Sequence, residues 1–186
     1  MSTTSEVRAP IGHPDKIFVG GSWLAPSSDA TFSVIEPATE ELYFRAAEAQ
    51  APDVDRAVSA ARTAFDEGPW PRLTHAQRAE YLQAFAAGLT DRADDLGDIW
   101  PRQSGVLHKI AKWSGMGAAG TFSTYAAMAD TFPFEEPATP TAGGSFGLLV
   151  REPVGVVGAI VPWNAPIGLI ANKVAPARAG RSSRRR

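Results

Sequence analysis

Eight consecutive residues, Val154 to Val161 (VGVVGAIV), carry no polar side chain. Such a run fits a strand covered on both faces inside a parallel sheet. It is far too short to span a membrane. Pro162 ends it, and Pro162-Trp163-Asn164-Ala165-Pro166 reads as a tight loop. Ile167 to Ala177 then restarts a helix. Strand, loop and helix together make the first βα unit of a doubly wound sheet. A buried parallel strand needs neighbours, and a crossover must bring the next strand back beside it. After Ala177 the sequence turns to Arg, Ser and Gly and offers no such strand. The expectation is an α/β chain with an incomplete sheet, in which Val154 to Val161 forms an unpaired apolar edge. An edge of that kind invites aggregation and marginal stability.

The upstream residues supply helices and short strands. Residues 1–15 read as a flexible leader. Lys16 to Leu24 (KIFVGGSWL) predicts two short strands about a Gly20-Gly21 turn. Residues 36–41 are a turn, and Leu42 to Ala49 is a strand. Pro52 opens a helix, with Val54, Val58, Ala61 and Phe65 on one inward face as far as Gly68. Thr74-His75-Ala76-Gln77 matches a capping box, and the helix behind it is expected to turn Tyr81, Leu82, Phe85 and Leu89 inward. Further helices are expected over Asp91 to Gln103 and, interrupted by glycines, Leu107 to Asp130. Residues 133–145 form a proline-rich linker. In 146–151, Phe146, Leu148 and Val150 alternate with Gly147, Leu149 and Arg151, as in a half-buried strand.

Composition removes several chemistries. There is no cysteine in the 186 residues. Disulfides, thiolate metal sites and a cysteine nucleophile are therefore absent from this chain. The three histidines, His13, His75 and His108, show no ligand spacing, so no metal is expected. Of 18 Lys+Arg, five (Arg178, Arg181, Arg184, Arg185, Arg186) lie in the last nine residues. The body is thus acidic and presents no broad basic face, so neither nucleic acid nor membrane is an expected partner. The arginine tail alone could give only weak, salt-sensitive contacts. Met1 to Asp15 lacks the apolar run of a secretion signal, which points to a cytoplasmic protein.

Several motifs reduce to structure. Gly115-Met116-Gly117-Ala118-Ala119-Gly120 matches a dinucleotide fingerprint but does not follow a buried strand. Close helix packing through small residues is the simpler reading. The pairs Glu40-Glu41, Asp94-Asp95 and Glu135-Glu136 read as solvated surface. His75, just after a helix cap, reads as exposed.

The segment Glu152 to Ala177 (EPVGVVGAIVPWNAPIGLIANKVAPA) resembles the start of the catalytic and cofactor-binding half of the aldehyde dehydrogenase superfamily. Phe18 to Trp23 resembles that family's N-terminal hairpin. Glu36-Pro37-Ala38-Thr39-Glu40 resembles its Asn-Pro-Ala-Thr-Gly turn, with Glu36 and Glu40 departing from it. Val54 to Trp70 resembles its first helix, and Phe146 to Pro153 the strand that joins its oligomerisation region. The resemblance spans residues 17–177. It implies 16–132 as an N-terminal layer of the cofactor domain, 133–145 as a linker, 146–153 as an oligomerisation-type strand, 154–177 as the first βα unit and 178–186 as an aberrant basic tail.

The resemblance also implies a chemistry. In the family a cysteine thiolate attacks an aldehyde, the adduct gives hydride to NAD or NADP, and water releases the acid. The family asparagine that donates its side-chain amide to the oxyanion corresponds to Asn164. Ile160, Val161, Pro162 and Trp163 correspond to the stretch lining the nicotinamide, and Lys173 to a helix lysine that could assist proton movement. The family's cysteine, glutamate base, glycine loop and ribose-reading Lys-Pro pair have no counterpart in this sequence. Ala, Arg, Gly and Pro make up 78 of the 186 residues, the signature of a GC-rich gene. The change of text at Arg178 then predicts a frameshift near codon 178 and a truncated product that is inactive alone. The alternative is a non-catalytic subunit that associates with an intact aldehyde dehydrogenase through residues 146–153.

Overall fold

The computed structural model describes residues 11–180. The expected leader, 1–15, and the arginine tail therefore lie mostly outside the described residues. Six strands form three separate antiparallel pairs. In the first, β1 (Ile17–Val19) pairs with β2 (Ser22–Leu24). The turn between them has Gly20 at φ +60° and Gly21 at φ +85°. Two successive left-handed residues match the strands' own twist, and glycine adopts them without a Cβ clash. The second pair joins β3 (Thr31–Ile35) to β4 (Leu42–Ala47), with an irregularity between Val34 and Ile35. Strand β4 falls within the expected Leu42 to Ala49, whereas β3 was not anticipated.

The turn from β3 to β4 contains both positions that depart from the family pattern. Glu36 N–H donates to Glu41 O at 2.9 Å, and Glu40 N–H to Glu36 O at 2.9 Å. Closing the turn this way puts Glu40 at φ +60°, the left-handed region where glycine carries no penalty. Glu36 meanwhile reaches Arg102, 66 residues away, at 3.2 Å. Glu40→Gly should therefore raise stability by up to about 1 kcal/mol, the relieved strain partly offset by the entropy of an unfolded glycine. The urea midpoint reads this directly, and an unchanged or lower midpoint would refute the strain.

Helix α1 (Ala51–Asp66) starts at the expected proline and is held at its N-terminus by Asp53. That buried carboxylate accepts from Gln50 N–H, Ser27 N–H and the Ser27 hydroxyl, each at 2.9 Å, and pairs with Arg56. The Gln50 N–H bond leads in lowering its pKa to about 2; burial opposes this, and Arg56 and the two Ser27 bonds add to it. A depressed folded-state pKa stabilises the fold above the unfolded value near ~3.9. That stability is lost as pH falls through about 2. Asp53→Asn should flatten the acid limb of the stability profile between about pH 4 and 2, as followed by circular dichroism.

Helices α2 (His75–Asp91), α5 (Ser114–Ala127) and α6 (Pro166–Ala179) enclose the core, which consists of Leu82, Phe122 and the alanines 86, 118, 119, 126, 171 and 175. The capping box of α2 forms as expected: Gln77 N–H reaches Thr74 Oγ1 at 3.2 Å, and Thr74 N–H reaches Gln77 Oε1 at 2.9 Å. Helix α5 replaces the later part of the long helix expected from Leu107, the earlier part becoming the short α4 (His108–Ala111). A Cβ on Gly115 would stand 2.8 Å from Ala93 Cα, so this glycine serves close packing against the start of α3 (Ala93–Ser104), whereas Gly117 and Gly120 face open space. Helix α3 runs between α2 and α4 and ends at left-handed Gly105, with Pro101 tolerated in its last turn.

The helix faces differ from the periodicity. Leu82 is buried, but Tyr81 and Phe85 are exposed, because α5 and α6 meet α2 along the Arg78–Leu82–Ala86 line. Val54 and Val58 are also exposed, since α1 buries only Asp53 and lies outside the three-helix core. His75, expected on the surface, is half-buried and stacks on Phe134 with ring centroids 3.7 Å apart. Glu136 is half-buried and pairs with Arg151, unlike the solvated Glu135 expected beside it.

The third strand pair joins β5 (Glu135–Ala138) to β6 (Gly147–Val150). Strand β6 is as expected; β5 lies inside residues that composition assigned to a linker. Residues Val154 to Val161, expected as a buried parallel strand, form no ladder. Their apolar pattern suits a strand, but no neighbour is present among the described residues, and backbone without a partner is not sheet. Val154 is 99% exposed and Ile160 88%. No described helix is long and apolar enough to cross a membrane.

Candidate functional site

Residues 160–164 leave this uncovered segment and enter the first turn of α6 at Pro166. Proline suits that position because its missing N–H would have no helical partner. Ile160 and Trp163 (76% exposed) present apolar surface to solvent, Pro162 is exposed beside them, and Val161 is half-buried. Asn164 is exposed, and its backbone carbonyl accepts a hydrogen bond from Trp100 Nε1 at 3.1 Å. Its side-chain amide makes no hydrogen bond among the described residues. An asparagine whose amide merely closed its own turn would be committed locally; this one is not.

Lys173 lies elsewhere. It lines a cleft of about 270 Å³ between α1 and α6, with Phe65, Trp70, Val157, Ala159 and Arg178. None of residues 160–164 lines that cleft. At ~1.5 Å per residue, Lys173 sits about two turns along α6 from the loop. The structure thus keeps 160–164 contiguous and sets Lys173 apart. Arg178, read from sequence as part of an aberrant tail, continues α6 and packs over Trp70 at 4.9 Å from the ring centroid. Arg78, buried, donates to the carbonyls of Trp70 and Pro71 at 3.4 Å each and to that of Gly180. It ties the end of α6 to α2 and so fixes the helix that carries the Asn164 loop.

Two site features escaped the sequence. Trp100 and Asn164 are 64 residues apart, and no spacing rule links them. Arg78 reads as an exposed position of an amphipathic helix, and only its burial reveals the role.

A family model described as the aldehyde dehydrogenase family matches residues 23–182. The chain belongs to the aldehyde dehydrogenase family. The match continues past Ala177, where the resemblance read from the sequence stops. Aldehyde dehydrogenase 1 of Tanacetum cinerariifolium is 42% identical over 166 residues, covering 88% of this chain and 33% of that protein. Geranial dehydrogenase of Castellaniella defragrans is 38% identical, covering 88% and 34%. Among solved structures, an aldehyde dehydrogenase of Mycobacterium tuberculosis complexed with NAD+ superposes with TM-score 0.82 at 40% identity, covering 89% of this chain and 34% of that one. A Staphylococcus aureus betaine aldehyde dehydrogenase in complex with NAD+ gives TM-score 0.84 at 28% identity, covering 91% and 34%. The aldehyde dehydrogenase chain described here spans about a third of the length of these relatives. Its fold is the N-terminal part of theirs.

The residues present fit a dinucleotide only in part. Ile160 and Trp163 are apolar and exposed. A pyrophosphate needs backbone N–H groups at a glycine-rich helix start. The glycine motif at 115–120 lies within α5, where Gly117 N–H is already bonded to Trp113 O at 2.9 Å. Helix α6 opens on Ala165-Pro166. The described residues therefore hold no pyrophosphate cradle, and a whole dinucleotide does not fit them.

Proposed function

We propose that this chain contributes the oxyanion-stabilising loop and the nicotinamide-facing wall of an enzyme that oxidises aldehydes to acids with NAD or NADP. Asn164 carries the proposal, because its amide is exposed, uncommitted and set at the mouth of a helix anchored by Arg78. When a nucleophile adds to an aldehyde, the carbonyl π electrons move onto oxygen. A neutral, preorganised amide N–H donates to that oxyanion without giving up its proton. Ile160, Val161, Pro162 and Trp163, the residues just before Asn164, would supply the apolar surface for the nicotinamide. Lys173 is a weaker candidate for proton movement, given its separation from the loop. The nucleophile comes from residues other than these, since the 186 residues include no cysteine. The chain alone is accordingly inactive toward aldehydes. Joining residues 1–177 to the remaining two-thirds of a relative tests the proposal: the hybrid should oxidise aldehyde, and Asn164→Ala should abolish most of its turnover.

A second reading is a non-catalytic subunit that joins an intact aldehyde dehydrogenase through residues 146–153. The observation favouring it is β6, whose far edge pairs with no described strand, and which has Phe146 and Leu149 exposed beside it. Co-elution of the tagged chain with a full-length relative supports this reading, and separate elution at micromolar concentration refutes it.

A further inference from the structure

We infer that Trp100 is a positioning residue for Asn164. The inference rests on the proposed role of that asparagine. Residues 152–164 receive one hydrogen bond from elsewhere among the described residues, the Trp100 indole N–H to Asn164 O at 3.1 Å. The donor is well placed to act as a fixed post. Two residues after it, Arg102 pairs with Glu36 at 3.2 Å. Pro101 is buried, and three residues before Trp100 a Cβ on Gly97 would lie 3.1 Å from Lys112 Cα. Helix α3 is thereby held against α4 and the β3–β4 turn on either side of Trp100. An indole has two side-chain torsions and a single donor, so it holds its acceptor with little freedom.

The acceptor is the carbonyl of the asparagine itself. Fixing that carbonyl fixes the Asn164 Cα and the direction from which its side chain leaves the chain. The next peptide is restrained too, because Leu169 N–H reaches Ala165 O at 3.3 Å at the start of α6. Asn164 is thus clamped between a tertiary hydrogen bond on its own carbonyl and a helix start one residue later. Without the indole bond, the loop would be tied only at its helical end, and the amide would sample many directions. One neutral hydrogen bond corresponds to roughly a three- to tenfold shift in the held population.

The test uses the full chain, labelled with 15N and 13C, without aldehyde or cofactor. A scalar coupling across the hydrogen bond from Trp100 Nε1 to the Asn164 carbonyl carbon is expected. Order parameters at Trp163 to Ala165 should lie near ~0.85 in the unsubstituted chain and fall below about 0.6 in Trp100→Phe, which keeps the ring and removes the donor. Those of α5 should not change, and Trp100→His, which restores an N–H, should recover part of the loop order. Loop order parameters that are equal in the unsubstituted chain and in Trp100→Phe would overturn the inference. So would an equal fall in α5, which would make the tryptophan a general packing residue. Aldehyde is absent from these measurements, so they stand or fall independently of whether Asn164 donates to an oxyanion.

Discussion

Phe122→Ala should come close to unfolding the chain. The buried apolar core is unusually fine-grained: seven of its nine residues are alanine, and only Leu82 and Phe122 are large. Close helix approach explains the composition, since α5 meets α2 and α6 through Ala118, Ala119 and Ala126. Alanine buries little apolar area, so the two large side chains carry a disproportionate share of the burial energy. Removing a buried Phe costs about 3–5 kcal/mol, the transfer term plus the cavity it leaves. Small domains are typically stable by about 5–15 kcal/mol. The urea midpoint should therefore fall by more than ~1 M. Val154→Ala is the control: that side chain is 99% exposed, and a surface change of this type stays within ~0.5 kcal/mol. Equal effects of the two substitutions would mean that the three-helix core is not what holds the chain together.

The sequence was most informative where local chemistry decides. The Gly20-Gly21 turn, the Thr74–Gln77 capping box and the proline at the start of α1 each rest on a few neighbouring residues, and each forms. The triplet Pro162-Trp163-Asn164 carried the family, which the relatives bear out. Tertiary choices were less legible. Periodicity marks a helix's apolar residues but not which of them a neighbour will cover; α2 turns Leu82 inward and leaves Tyr81 and Phe85 exposed. Prolines hid β5, because a proline run reads as linker, yet Pro137 sits opposite Leu148 in an antiparallel pair. Val154 to Val161 is apolar, as the buried-strand reading required, but a strand exists only where a second strand meets it, and none does among the described residues. Neither Trp100 nor Arg78 could be found from spacing, since both act across more than sixty residues.

The second large effect concerns Asn164. Removing one preorganised oxyanion donor typically lowers kcat by about 10²–10³-fold, or roughly 3–4 kcal/mol of transition-state stabilisation. The loss should appear mainly in kcat, because a ground-state carbonyl gains less from the donor than the oxyanion does. The helix mouth that places the amide depends on Arg78 and Trp100, neither of which needs to touch substrate. The most direct measurement follows reduced-cofactor absorbance in a hybrid enzyme. It joins residues 1–177 of this chain to the remaining part of the Mycobacterium tuberculosis relative, which is 40% identical and covered to 34% of its length. The hybrid should oxidise aldehyde, and Asn164→Ala should lower kcat at least about a hundredfold with cofactor affinity retained. A folded, cofactor-binding hybrid whose kcat changes less than about twofold on Asn164→Ala would contradict the assignment of the oxyanion donor to this loop.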